Sequence, residues 1–200
     1  MMIPRLSAKD RMPDALRGGV VALGNFDGFH LGHQAVAGEA IAQAKAEGRP
    51  AIIATFDPHP VRFFAPQSPW FRLTTLDQRQ RLFQDAGADA MLVFDFDAEL
   101  AATSSEDFIV KLLIERLGVS AVVTGEDFTF GKARGGNIDV LHYIGRRIFF
   151  KQPAGKDPAP PFAVIGTWRA FTHSDTDKSA LIGIGFPRRG PFASAHKQCH

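Results

Sequence analysis

The stretch "LGNFDGFHLGHQAV", residues 23–36, decides how the rest of the chain is read. Before it lies a short apolar run, "GVVALG" (19–24), which reads as a buried strand. After it, "HQAVAGEAIAQAKAEG" (33–48) carries Val36, Ala37, Ala40, Ile41 and Ala44 at helical spacing, with Gly48 where a helix C-terminus needs a left-handed residue. Between strand and helix stand Gly24, Asn25, Asp27, Gly28, His30 and His33, a concentration of polar and flexible residues that a plain connection does not need.

The same alternation continues downstream. "AIIATF" (51–56), "AMLVF" (90–94) and "SAVVTG" (120–125) read as further buried strands. "TLDQRQRLFQDAG" (75–87), with Leu76, Leu82, Phe83 and Ala86 as its apolar stripe, and "SSEDFIVKLLIERLG" (104–118), with Ser104 and Asp107 as a capping box, read as helices, and another begins near Ile138. Strands that are apolar throughout and separated by helices predict a parallel sheet covered on both faces. The expected fold is therefore α/β, a Rossmann-like doubly wound parallel sheet, with an irregular C-terminal tail.

In such sheets ligands bind beyond the carboxyl ends of the strands. The chemically rich segments all fall there: "GNFDGFHLGH" after the first strand, "FDPHP" (56–60) after the second, "FDFD" (94–97) after the third and "GEDFTFGKARGG" (125–136) after the fourth.

Composition sets outer bounds. The chain has 200 residues, 45% of them hydrophobic, enough for one sizeable core. A net charge of +2 gives no reason to expect a nucleic-acid partner. No apolar run reaches the roughly 18 residues of a membrane helix, and "MMIPRLSAKD" lacks the apolar core of a signal peptide. With the single Cys199, these features predict a cytoplasmic protein; its oligomeric state is not legible.

The averages conceal a seam. Residues 1–140 hold 14 Lys and Arg against 18 Asp and Glu, whereas residues 141–200 hold 9 against 3, with no Glu, only Leu141 and Leu181 as leucines, and six prolines. That stock is poor in helix formers. A division into a domain at 1–141 and an atypical tail at 142–200 is expected.

The residues after the first strand point to phosphate chemistry. The free N–H groups and the dipole of a helix starting near Leu31–His33 form an anion site, and His30 and His33, three apart, can reach the same oxygens. Phosphoryl and nucleotidyl transfer need this combination of positioning and charge stabilisation. Other motifs fail. No G-x-G-x-x-G follows the first strand, and "GEDFTFGKA" (125–133) has five residues between its glycines and Ala133 where a P-loop needs Ser or Thr. Two histidines three apart, even with His59 nearby, are not a zinc signature, so no protein-held metal is expected.

H-x-G-H after the first strand resembles the signature of the nucleotidylyltransferase superfamily. With "TFDPHP" (55–60), "FDFDAELAATSSEDFI" (94–109) and "GEDFTFGKARGG", the string "GNFDGFHLGH" resembles the adenylyltransferase module of the prokaryotic bifunctional riboflavin kinase/FMN adenylyltransferases, over roughly residues 18–141. The resemblance implies an enzyme that makes FAD and pyrophosphate from FMN and ATP, with Mg²⁺. It implies that His30 and His33 contact the ATP phosphates, and that Gly24, Asn25, Phe26, Asp27 and Gly32 border ATP. Gly125, Asp127 and Phe128 would hold the ribose and adenine, while Phe56, Asp57, Pro58, His59 and Arg134 would border the phosphate and flavin region.

Plainer roles stand beside these. Asp27 also reads as a turn residue, His59 as loop packing, and Lys132 and Arg134 as solvated surface. Phe130 reads as core. The run "VRFFAPQSPWFRLTT" (61–75) reads either as the flap found beside the flavin in that family or as a packed surface loop.

The likeness stops near residue 141. The family's Ser-Ser-Thr-x-x-Arg signature has no match beyond it, since "THSD" (172–175) and "SAHK" (194–197) do not qualify. "IGIGFPRRG" (182–190) is only faintly similar to a loop of the kinase module, so kinase activity is not expected. Loss of that signature predicts a weakened adenylyltransferase and leaves a fifth strand in doubt. The alternative is a non-catalytic nucleotide- or flavin-binding remnant of a truncated or frame-disrupted gene. Transfer to another acceptor is a third reading, which the "TFDPHP" and "GEDFTFGKARGG" loops argue against.

Overall fold

The computed structural model describes residues 1–67, 69, 72–151 and 163–168. Six strands form one parallel sheet: β1 (Arg5–Ser7), β2 (Val20–Leu23), β3 (Ala51–Asp57), β4 (Ala90–Asp95), β5 (Ala121–Gly125) and β6 (Ala163–Trp168). Their spatial order is β1-β4-β3-β2-β5-β6. The order reverses between β2 and β5, which pair in parallel from Val20 with Ala121 to Leu23 with Thr124. That junction is the switch point at which open α/β sheets bind ligands.

Successive residues of each strand point to opposite faces, and both sets are apolar. Val21, Leu23, Ile52, Ala54, Leu92 and Val122 pack on one face with Ile109, Leu113, Leu141 and Ile144. Val20, Ala22, Ile53, Met91, Val93 and Val123 pack on the other with Val36, Ala37, Ala40, Ala44 and Phe83. Helices α1 (Leu31–Glu47) and α3 (Leu76–Ala86) therefore cover one face. The other is covered by the segment that starts as the single turn α5 (Ser105–Asp107) and by α6 (Ile138–Lys151). This is the doubly wound sheet expected. Short helices α2 (Pro60–Phe64) and α4 (Ala98–Ala102) complete the set. Among the described residues no helix is long and apolar enough to cross a membrane.

Local signals explain most boundaries. Gly48, Gly87 and Gly118 take positive φ (64°, 99° and 65°) at helix ends. The Thr75 hydroxyl accepts from the Gln78 N–H while the Gln78 side chain accepts from the Thr75 N–H, a reciprocal cap that starts α3. Ser104 Oγ accepts from the Asp107 N–H at 3.0 Å.

Four features differ from the sequence expectations. The helix expected over 104–118 winds as a π-helix from Phe108 to Arg116, with Phe108, Ile109 and Leu113 as its buried residues. β1 precedes the first expected strand and pairs with β4. Part of the 61–75 run is helical, as α2. The strand left in doubt is present: β6 pairs with β5, so β5 is not an unpaired edge. α6 crosses residue 141 without a break, and Leu141 is fully buried. The segments 172–175, 182–190 and 194–197, and Cys199, lie outside the described residues.

Candidate active site

β2, β3, β4 and β5 run parallel, so the loops that follow them share one rim. The first loop, Gly24–His30, bends sharply. Phe26 and Phe29 take φ of 49° and 39°, and Gly28 takes 75°. Left-handed backbone is costly for phenylalanine and persists only where the surroundings enforce it. Here burial does so: Phe26 is 1% exposed, and its ring meets Phe29, His33 and Phe83 edge-on at 6.3, 5.3 and 5.9 Å. The Phe26 side chain is thus packed in the core, and what it offers the rim is its backbone. Gly28 takes a φ of 75° that L side chains rarely adopt, and a Cβ there would have to displace the exposed Leu73 side chain, whose Cδ1 would lie 2.7 Å away.

The loop ends by delivering the two histidines to the start of α1. His30 is its N-cap, and His30 Nδ1 accepts from the His33 N–H at 3.4 Å. That contact uses Nδ1 of the ring and leaves Nε2 as its other polar atom. The two rings stack with centroids 3.6 Å apart and planes 22° apart. Gly32 lies beneath: a Cβ there would sit 3.3 Å from the His30 ring. His33 is half-buried, and its Nδ1 is buried without a hydrogen-bond partner among the described residues. Burial, followed by the nearby His30, pushes the His33 pKa down to about 4, so the ring is neutral at pH 7. The Asp27 and Asp127 carboxylates act on His33 in the opposite direction, more weakly than burial.

The first loop is anchored from below by residues that sequence reading did not single out. Asp27 accepts from the N–H of Leu73 at 3.1 Å, from the N–H and hydroxyl of Thr74 at 2.9 Å each, and from Arg79 at 3.1 Å. Although burial opposes its charged form, these hydrogen bonds and the Arg79 charge hold its pKa down to about 2. Arg79, only 1% exposed, also donates to Thr74 Oγ1 at 3.2 Å, Thr55 Oγ1 at 3.0 Å, the Asn25 carbonyl at 3.4 Å and the Phe56 carbonyl at 3.5 Å. The Thr55 hydroxyl donates to the Asn25 carbonyl at 2.5 Å. Asn25 Oδ1 is buried without a hydrogen-bond partner among the described residues. One signal pointed to Arg79: it lies three residues after Leu76 and four before Phe83, on the apolar stripe of α3.

The second and fourth loops meet through aromatic rings. Phe56 stacks on Phe94 at 5.2 Å and faces Phe128 at 6.3 Å, and Phe128 stacks on Phe130 at 5.8 Å. Phe130 is buried in the core. Asp57 pairs with Arg72 and is joined to Pro58 by a cis peptide bond. His59 caps α2, its Nδ1 accepting from the Val61 N–H at 3.2 Å, and burial lowers its pKa. Gly125 is pressed by Asp127, whose Oδ1 would lie 3.0 Å from a Cβ at that position. Gly131 (φ 73°) packs so tightly on the start of α5 that a Cβ would sit 2.7 Å from Ser105 N. Lys132 and Arg134 are exposed.

No group of three or more His, Cys, Asp or Glu that could hold a metal occurs among the described residues. The donors present suit an anion instead: the N–H groups of the 17-residue helix α1, the His30 ring and the neutral His33 ring.

Comparison with known proteins gives the same direction. Residues 12–154 match the FAD synthetase family. The chain is 34% identical over 131 residues to the bifunctional riboflavin kinase/FMN adenylyltransferase of Buchnera aphidicola, 34% over 133 residues to that of Escherichia coli, and 36% over 129 residues to that of Pseudomonas fluorescens. These alignments cover 64–66% of this chain and 41–42% of each relative, so the chain spans well under half of their length. In shape it is similar to a crystal structure described as a macrolide-efflux protein from Streptococcus pneumoniae, with a TM-score of 0.63 and 22% identity, covering 82% of this chain and 59% of that one. That likeness bears on the fold alone. With the family match spanning strands β2 to β5 and all four rim loops, the chain belongs to the FAD synthetase family.

Proposed function

We propose that the chain is an FMN adenylyltransferase that forms FAD and pyrophosphate from FMN and MgATP. The observation that carries this reading is the stacked pair His30–His33 at the start of α1, beside the β2–β5 switch point. The triphosphate lies against the α1 N-terminus, where main-chain N–H groups and the dipole favour an anion. An FMN phosphate oxygen attacks the α-phosphorus in line, and the bond from that phosphorus to the pyrophosphate oxygen breaks. A phosphate monoester has a second pKa of about 6, so it is already mostly ionised at pH 7 and needs no general base. In keeping with this, the Asp27 carboxylate at the rim is committed to Arg79 and Thr74.

His30 donates from Nε2 to the departing pyrophosphate. Neutral His33 stabilises it by hydrogen bonding rather than by charge. Mg²⁺ arrives with ATP, bound by phosphate oxygens and water. Asp127 accepts from the ribose hydroxyls and Phe128 packs by the base. Phe56 to His59, with Arg134, border the flavin phosphate.

A second reading, a binding remnant without turnover, is favoured by the lack of a Ser-Ser-Thr-x-x-Arg match after residue 141. Incubating the full chain with FMN and MgATP, separating the flavins by chromatography and titrating ATP by calorimetry decides between them. FAD formation supports the enzyme. Binding without FAD supports the remnant, and neither result leaves both readings standing. Competing FMN with other phosphate acceptors tests whether a different acceptor is used.

A further inference from the structure

We infer that Arg79 is a positioning residue for adenylyl transfer, one that holds the histidine loop and the Phe56–His59 loop in a single register; the inference rests on the function proposed above. A guanidinium this deeply buried is costly unless its donors are all used. Stability alone does not account for it, because apolar side chains of similar volume can replace a buried ion pair without loss. What distinguishes Arg79 is where its donors go. They reach the Asn25 carbonyl and the Asp27 carboxylate in the first loop, the Thr55 hydroxyl and Phe56 carbonyl at the end of β3, and the Thr74 hydroxyl ahead of α3.

Thr74 extends the tie, since its Oγ1 also accepts from the Gly28 N–H at 3.0 Å. The first loop needs such ties. It carries three left-handed residues in four positions, Phe26, Gly28 and Phe29, immediately before His30. Released from Arg79, it has cheaper backbone conformations available, and His30 and His33 would move with it. A misplacement of about 1 Å at a reacting centre costs on the order of 100-fold in rate. Arginine suits the role because its planar fork fixes several acceptors at once, whereas a lysine ammonium is a single mobile point.

The test uses the full chain and three variants: Arg79→Lys, Thr74→Val, and Arg79→Met combined with Asp27→Asn so that no buried charge is stranded. Melting curves, kcat, and KM for FMN and for ATP are measured for each. The double variant is expected to melt cooperatively and lose about 100-fold in kcat with smaller changes in KM. Arg79→Lys, which keeps the charge but not the fork, and Thr74→Val should each lose about 10-fold in kcat. If the double variant does not fold, the other two carry the test. A lowered melting temperature with unchanged kcat and KM overturns the inference and leaves the proposed function intact. If the parent binds ATP but makes no FAD, the Kd for ATP replaces kcat: weakening of about 10-fold in the variants supports the inference and no change overturns it. If the parent neither binds ATP nor makes FAD, the proposed function and the role of Arg79 fall together.

Discussion

His33 is held neutral by its surroundings, and this makes stability depend on pH in a defined window. Its pKa moves from 6.5 to about 4 on folding, because the ring is half-buried beside Phe26 and His30. Between those values the unfolded chain binds a proton that the folded chain refuses. Stability from this group is therefore complete above about pH 6.5 and declines as pH falls toward 4. Without solvent screening, the shift removes about 2.4 kcal/mol between pH 7 and pH 4.5, at about 1.36 kcal/mol per unit of pKa. The exposed part of the ring is screened by water, and halving for that leaves about 1.2 kcal/mol.

The assay is urea unfolding at pH 7 and pH 4.5 for the parent and for His33→Gln, which cannot titrate. His59 and His142, whose pKa values are also lowered, contribute equally to both proteins and cancel in the difference. The parent should lose about 1 kcal/mol more than the variant over this interval. Equal losses in the two proteins would refute the reasoning, because His33 would then titrate in the folded protein as it does in water.

His30→Ala should lower FAD formation about 100- to 1,000-fold, the usual cost of one preorganised donor, while the far-ultraviolet circular dichroism stays unchanged; retained activity would remove His30 from the chemistry. Asp27→Asn leaves the Arg79 guanidinium without its counter-charge and should cost about 3 kcal/mol in denaturant unfolding at pH 7. Because the Asp27 pKa is lowered from 3.8 to about 2, its stabilisation is present above pH 3.8 and fades as pH falls toward 2, so the variant should also show a shallower acid-unfolding limb in that range. Gly131→Ala forces a Cβ to within 2.7 Å of Ser105 N at a φ of 73°, and should destabilise by about 1–3 kcal/mol in thermal melts; an unchanged melting temperature would mean that the loop shifts at no cost.

Much of this was legible in the sequence because parallel strands buried on both faces are apolar at every position. "VVAL", "AIIATF", "AMLVF" and "AVVTG" cannot be hidden by alternation, and glycines mark the helix ends. β1 was missed because "RLS" is a three-residue edge strand with a single apolar side chain. β6 falls in the stretch whose composition argued against regular structure, and strand pairing with β5, not helix-forming residues, is what orders it. At the rim, the placement of His30 and His33 at the start of α1 could be read because the apolar stripe that follows marks where the helix begins. Arg79 could not be read so easily: a charge on a helix ordinarily faces water, and only the tertiary meeting of Asp27, Thr55 and Thr74 makes its burial favourable. For Asp27, both readings of the sequence left out its partners Leu73, Thr74 and Arg79, which lie 46 to 52 residues away in the chain.

The most direct measurement follows the α-phosphorus itself. With ATP labelled at that atom, FMN and Mg²⁺, the full chain should move the label into FAD and release unlabelled pyrophosphate in equal amount. The His30→Ala, His33→Gln double variant should bind FMN yet transfer almost none. Label that stays in ATP with the parent chain, or transfer that survives loss of both imidazoles, would contradict the account.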